Sequence, residues 1–181
     1  MDEADVPEAL EEDAETAPAS PLELKLTPTR LTLSAKTVII NWRLELRNAS
    51  ETHIVALRIW SDMTSAACAA IHHDEAGKPD MDRAKLHRED FLAPGVHAEY
   101  SGEWQMPREE AIPVKQGPVR NFSEPRVLPV ARIRLIGAGI EPTFVNFAVG
   151  SPGEEEGALP RPLLFDDQMQ IFSELAAVQL T

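Results

Sequence analysis

The run His72-His73-Asp74-Glu75 is the only cluster in the sequence whose residue types resemble a metal-binding set. Adjacent histidines on a loop hold one ion only if a third and a fourth ligand fold onto them, and no His-x-x-x-His or Cys-x-x-Cys spacing supplies such ligands. The other histidines, His53, His87 and His97, are scattered along the chain. We therefore interpret the run as a solvated polar loop and predict neither a metal ion nor another cofactor.

Nucleophilic chemistry has one candidate thiol, Cys68, which is surrounded by alanines. A cysteine in such an apolar stretch is expected to act as a small structural hydrophobe rather than as a reactive group. No Gly-x-Ser-x-Gly turn is present, and Gly137-Ala138-Gly139 is too short for a phosphate-binding loop. The sequence therefore predicts no catalytic residue, no small-molecule substrate and no enzyme activity.

A carbohydrate-binding or metal-dependent enzyme domain is the alternative, and it depends on Trp60, Trp104 and the paired histidines. It predicts a tryptophan exposed on a concave face, whereas the favoured interpretation places Trp42 and Trp104 in a core.

The densest group of cations contains Arg126, Arg132 and Arg134, with Lys115 and Arg120 shortly before them. Arg132 and Arg134 are two residues apart on a predicted strand, so they share its outer face and we expect them to be exposed as a pair. An acidic partner protein, or the chain's own amino-terminal segment, is what such a pair could bind. An ordinary charged outer face is the simpler interpretation.

The net charge of the chain argues against nucleic acid as a partner. The 181 residues include 17 Lys and Arg against 30 Asp and Glu, for a formal net charge of −13, so nucleic acid would be repelled. Eight of the carboxylates lie in residues 1–20, which contain no Lys or Arg. Such a segment cannot bury enough apolar surface to offset ordering entropy, so residues 1–21 are predicted to form a disordered acidic tail. This tail is either a solubilising spacer or an arm that binds a basic partner.

The sequence contains no apolar run of about 18 residues, the length that a membrane span needs. Its start is acidic, unlike a secretory signal peptide. We expect a cytoplasmic protein. A membrane-anchored or periplasmic location is the alternative, and it requires an anchor upstream of this sequence.

Two segments show the alternation of half-buried antiparallel strands. Apolar residues occupy every second position of each segment, with polar residues between them. They are Val38, Ile40, Trp42, Leu44 and Leu46 in the first segment, and Val96, Ala98, Tyr100, Trp104 and Met106 in the second. Gly102 falls on the inner face, where it leaves room for a facing side chain or marks a bulge.

Similar but shorter patterns bring the count to seven or eight strands, which predicts an all-β, two-sheet antiparallel sandwich over residues 22–167. Residues 64–71 fit a helix or a strand equally well, and residues 85–92 are predicted to form a helical turn. Over residues 168–181, helix-like spacing of apolar residues predicts a short amphipathic helix that packs on the sandwich or binds a partner. The residues concerned are Ile171, Phe172, Leu175 and Val178, of which the first three are the candidate partner-binding residues.

Three segments in order resemble bacterial immunoglobulin-like modules of the cell-adhesion-related type. They are Leu24-x-Leu26-Thr27-Pro28, Trp42-Arg43-Leu44-Glu45-Leu46-Arg47-Asn48 and Leu92-Ala93-Pro94-Gly95. Phe147-Ala148-Val149-Gly150, following Val130-Ala131-Arg132-Ile133, is similar to an uncharacterised family of alphaproteobacterial proteins. The resemblance spans about residues 22 to 170 and implies one sandwich behind a membrane anchor and a Pro/Ala-rich spacer. This sequence has no such anchor, and its spacer is acidic. The family has no established activity, so no residue role follows.

Together these patterns predict a non-enzymatic structural or protein-binding module with a protein partner of unknown identity. A soluble part of a membrane-anchored assembly protein is a further alternative.

Overall fold

The computed structural model describes residues 21–71, 77–114 and 124–181, and the all-β prediction is confirmed. The described ranges contain eleven strands, one short helix α1 (Ala66–Ile71) and a 3-10 turn at Arg108–Glu110. The strands are β1 (Leu22–Leu33), β2 (Thr37–Asn48), β3 (Ile54–Ser65), β4 (Lys85–Leu92), β5 (His97–Pro107), β6 (Arg126–Val127), β7 (Pro129–Ala138), β8 (Thr143–Gly150), β9 (Leu163–Leu164), β10 (Gln170–Phe172) and β11 (Ala176–Leu180). This exceeds the predicted seven or eight because several strands are only two or three residues long.

Two antiparallel sheets form the sandwich. One has four strands in the order β10-β1-β2-β5, and the other has five in the order β11-β8-β7-β3-β4. A third, two-stranded sheet pairs β6 with β9. Strands β1 and β2 are paired over almost their full length, and this pairing starts at Leu22 opposite Asn48. Strands β2 and β5 are paired in the same way, starting at Thr37 opposite Pro107.

The predicted alternation of β2 is confirmed, because its five inner residues are at most 2% exposed. In β5, Trp104 and Met106 are buried, whereas Val96 is 45% exposed and precedes the strand. Val96 belongs instead to the turn, where its N–H donates to the carbonyl of Ala93.

Trp42 and Trp104 stack in the core with ring centroids 4.6 Å apart, as the favoured interpretation of the sequence predicted. Gly102 faces Trp42, and a Cβ at that position would lie 3.0 Å from Cζ2 of the indole. The glycine therefore leaves room for the facing side chain. The indole N–H of Trp104 donates to Oγ of Ser61 on β3 at 2.9 Å, so a hydrogen bond links the two sheets through their interior.

The predicted helix over residues 168–181 is wrong. The segment forms β10, which extends the four-stranded sheet beside β1, and β11, which extends the five-stranded sheet beside β8. Backbone pairing with two open sheet edges outweighs the helix-like spacing of four apolar side chains, because such spacing is only a weak local preference.

The predicted helical turn over residues 85–92 is also wrong, because this segment is the edge strand β4. Residues 85–91 are exposed or only half-buried, so they do not show the alternation that identifies a half-buried strand. Residues 64–71, for which the sequence allowed either a helix or a strand, form the end of β3 and the helix α1. β3 continues through Ser65, whose Oγ accepts a hydrogen bond from the N–H of Cys68 in α1.

Residues 1–20 lie outside the described ranges, so the disorder of the acidic tail stays a prediction. No helix in the described ranges is both long and apolar enough to cross a membrane.

Candidate functional site

A row of four side chains crosses the outer face of the five-stranded sheet. Trp60 on β3 pairs in register with Leu86 on β4 and with Arg134 on β7, and Arg134 pairs with Phe144 on β8. The neighbours of Trp60 and of Arg134 along their strands are buried in the core, so these two side chains point outward. Leu86 and Phe144 are paired with them in register and therefore lie on the same outer face. Leu86 and Phe144 are about 40% exposed, at 39% and 41%. We call these four residues the Trp60–Arg134 row.

Arg134 lies between the two aromatic rings of this row. Its guanidinium carbon is 5.8 Å from the ring centroid of Trp60 and 5.6 Å from that of Phe144, within the range of cation–π attraction. Its Nε is buried, and it has no hydrogen-bond acceptor among the described residues. Buried polar groups are almost always paired, so a donor that has no acceptor in the described part of the chain is a candidate contact for a ligand.

Arg132 is buried, so the prediction that Arg132 and Arg134 form an exposed pair is wrong for this residue. Its Nε donates to Oδ1 of Asp62 at 2.8 Å and its Nη2 donates to Oδ2 at 2.5 Å. The N–H of Asp80 donates to the same Oδ2 at 2.7 Å. The alternation of β7 placed Arg132 on the outer face correctly. However, the facing carboxylate on β3 and the loop before β4 cover it.

In this loop, residues 77–84, Arg83 makes ion pairs that tie the loop to the 3-10 turn at Arg108–Glu110. The Arg83 guanidinium contacts both carboxylate oxygens of Glu110 at 2.9 Å and Oδ2 of Asp80 at 3.0 Å. Burial opposes its charge, but the hydrogen bonds and charges of Glu110 and Asp80 outweigh that effect and raise the pKa of Arg83. Further along, a Cβ at Gly77 would lie 2.9 Å from Nδ2 of Asn146, so the loop passes close over β8.

Between this loop and the Trp60–Arg134 row lies a cleft of about 670 Å³. This volume falls within the range of pockets that hold small ligands or several side chains. Six charged residues line it, and we call it the cationic cleft: Lys78, Asp80, Arg83, Glu110, Arg132 and Arg134. Arg83 and Arg132 are paired with acidic residues. Within the described ranges, Lys78 and Arg134 have no acidic partner, although the chain as a whole is strongly acidic.

The structure thus brings together two of the six predicted partner-binding residues. Arg126 is half-buried at the start of β6 and does not line the cleft. Ile171 and Phe172 lie on β10, in the other sheet, and Leu175 directly precedes β11; none of the three lines the cleft. Ile171 is 53% exposed, whereas Phe172 stacks on Phe165 at 6.1 Å.

Other candidates from the sequence have mixed outcomes. Trp104 is 2% exposed, so it does not form the exposed concave surface that the carbohydrate or enzyme alternative predicted. Cys68 is a half-buried free thiol at the wall of the cleft. The run His72–Glu75, Lys115 and Arg120 lie outside the described residues, and within the described part no three His, Cys, Asp or Glu side chains are grouped as metal ligands would be.

Sequence reasoning missed the contribution of Trp60, Leu86 and Phe144 to this surface. The alternation pattern could have placed Trp60 and Phe144 on outer faces. Which strands lie side by side, and in which register, depends on pairing between distant segments that the pattern does not contain.

No protein-family model and no curated protein matches the chain. A solved structure described as the "Putative ApaA Protein from Bordetella pertussis" aligns with 71% of this chain and 91% of its own chain. The aligned residues are 13% identical and the TM-score is 0.30.

Proposed function

We propose that the chain is a non-enzymatic, protein-binding β-sandwich of the immunoglobulin-like type, and that its cationic cleft binds an acidic segment of a partner protein. The observation that carries this proposal is Arg134. Its guanidinium lies between two aromatic rings at the wall of the cleft, and no carboxylate within the described ranges pairs with it. The immunoglobulin-like assignment is supported by the two antiparallel sheets that close around Trp42 and Trp104.

The acidic character of the ligand follows from the charge of the cleft. A guanidinium forms short, charge-assisted hydrogen bonds with a carboxylate, and it does so most strongly where water is partly excluded. Lys78 adds an ammonium group on the wall of the same cleft, and it too has no acidic partner among the described residues. One or two Asp or Glu side chains of a partner would therefore satisfy both cations.

The apolar character of the ligand follows from the exposed side chains around Arg134. Phe144 and Met81 line the cleft and are 41% and 46% exposed, and Leu86 lies at the other end of the row. Aromatic residues and arginine carry a large share of the binding energy in protein interfaces. We therefore expect the bound segment to place an aliphatic or aromatic residue close to its carboxylate.

A peptide display experiment on the full chain tests this proposal without knowledge of the natural partner. A random 12-residue library is selected on the wild-type protein and then on the Arg134→Gln variant. Arg43→Gln is the matched control, because Arg43 is an exposed arginine on the opposite sheet whose Nε is 3.3 Å from Glu99. Enriched peptides should combine Asp or Glu with an apolar neighbour, and Arg134→Gln should weaken their binding about tenfold or more, as expected for loss of a buried charged contact.

Three results would contradict the proposal. They are enrichment of basic or neutral peptides, equal binding to the wild type and Arg134→Gln, and the absence of any enriched peptide.

A further inference from the structure

We propose that the chain's own acidic amino-terminal segment, residues 1–20, binds in the cationic cleft of the same molecule and competes there with the partner. This inference deepens the proposed function and depends on it. It assigns a specific occupant to the cleft and makes access to the cleft a regulated property of the chain.

Charge complementarity is the first argument. Residues 1–20 contain eight carboxylates and no Lys or Arg, and Val6 and Leu10 provide apolar side chains among them. The cleft offers Lys78 and Arg134, two cations without an acidic partner within the described ranges. The segment therefore has the acidic and apolar composition that the cleft is proposed to bind.

Reach is the second argument. The segment joins the sandwich at Pro21, whose carbonyl accepts a hydrogen bond from the N–H of Ala49, near the start of β3. Trp60 is about 20 Å further along β3, and the two sheets are about 10 Å apart. A 20-residue segment spans up to about 66 Å when extended, so it reaches the outer face of the five-stranded sheet. Because it is tethered, it needs only weak affinity to occupy the cleft for much of the time.

Zero-length crosslinking with a carbodiimide tests the contact in the full chain. The reagent joins a lysine amine to a touching carboxylate as an amide and leaves as a urea, and mass spectrometry identifies the linked residues. Lys25 is the matched control, because its side chain is 73% exposed and it lies three residues from the start of β1, much closer to the tail attachment. A freely moving segment would therefore link to Lys25 at least as often as to Lys78.

We expect crosslinks from residues 1–20 to Lys78 to exceed those to Lys25 about tenfold, and to decline strongly in Arg134→Gln and in high salt. Mixing light and ¹⁵N-labelled chains separates links within one molecule from links between two. Equal or greater linkage to Lys25 would overturn the inference, and so would Lys78 links that form only between molecules.

A second measurement uses an acidic peptide enriched by display as the probe. Neutralising Glu11, Glu12 and Asp13 to their amides should raise the affinity of the full chain for this probe about threefold or more, because the cleft becomes free. The same change at the exposed run of residues 154–156 is the control and should leave the affinity unchanged. Equal effects of the two triple variants would contradict the inference. If Arg134→Gln still weakens probe binding about tenfold in that case, the proposed function stands and only the occupant is wrong.

Discussion

Replacing Arg132 by methionine leaves the carboxylate of Asp62 buried, and among the described residues only the N–H of Asp80 still donates a hydrogen bond to it. Asp62 is 4% exposed, and its two oxygens accept hydrogen bonds of 2.8 and 2.5 Å from the arginine. Removing one partner of such a pair typically costs about 3–5 kcal/mol, because the remaining charge is desolvated without compensation. That is a large part of the total stability of a domain, about 5–15 kcal/mol.

Urea unfolding followed by tryptophan fluorescence measures this loss. With a slope of about 2 kcal/mol per molar urea, the unfolding midpoint of Arg132→Met should fall by about 2 M. Asp62→Leu should be destabilised to a similar degree. The double variant should recover most of the loss, because two apolar groups of suitable size replace the pair.

The exposed ion pair between Arg47 and Glu23 provides the matched control. It also joins neighbouring strands, with an N–O distance of 2.8 Å, but its side chains are 43% and 59% exposed. Its removal should change the free energy of unfolding by less than about 1 kcal/mol. If Arg132→Met is as mild as the control, or if the double variant is no more stable than the single ones, the argument from burial is refuted.

Three further predictions concern the interior. Burial lowers the pKa of His87, which packs against Trp42 and Tyr100, below its ordinary 6.5, so the unfolded chain takes up a proton there that the folded chain resists. The free energy of unfolding should thus decline as pH falls below about 6.5, and urea titrations at several pH values should show a shallower decline in His87→Phe than in the wild type. If the free energy of unfolding depends on pH equally in the two proteins, His87 does not have this role. Trp104→Phe removes the hydrogen bond to Ser61 and leaves a small cavity, so calorimetry should show a loss of about 2–4 kcal/mol in the free energy of unfolding. An unchanged free energy would contradict this and would mean that the core repacks around the smaller ring. The Cβ introduced by Gly102→Ala crowds the Trp42 indole, so chemical denaturation should show a loss of about 1–3 kcal/mol in the free energy of unfolding. Increased stability would contradict this, because it would mean that the indole and the strand can move apart without cost.

The sequence was most informative where one face of a strand is buried along its whole length. Trp42 and its neighbours on β2 form such a face, so the period-two pattern identified both the strand and its core side. The edge strand β4 lacks a continuous buried face, and it was mistaken for a helical turn. The last two strands were missed because their structure depends on pairing with β1 and β8, and the local pattern of residues 168–181 contains no information about these partners.

The candidate site could be predicted only in part, for a similar reason. Alternation identified the face on which Arg132 and Arg134 lie. It could not identify Asp62 as the partner of Arg132, because that contact joins residues on different strands. The surroundings of Arg134 likewise required the register between three strands.

The positions of β10 and β11 have a consequence for the kinetics of folding. Three residues separate these strands, yet β10 completes one sheet beside β1 and β11 completes the other beside β8. The pairing of β10 with β1 joins segments at nearly opposite ends of the described chain, and such contacts have a high entropic barrier to closure. The local β1–β2 hairpin should therefore form early. The sandwich should reach its final form slowly, on the millisecond-to-second scale typical of β-proteins rich in non-local contacts.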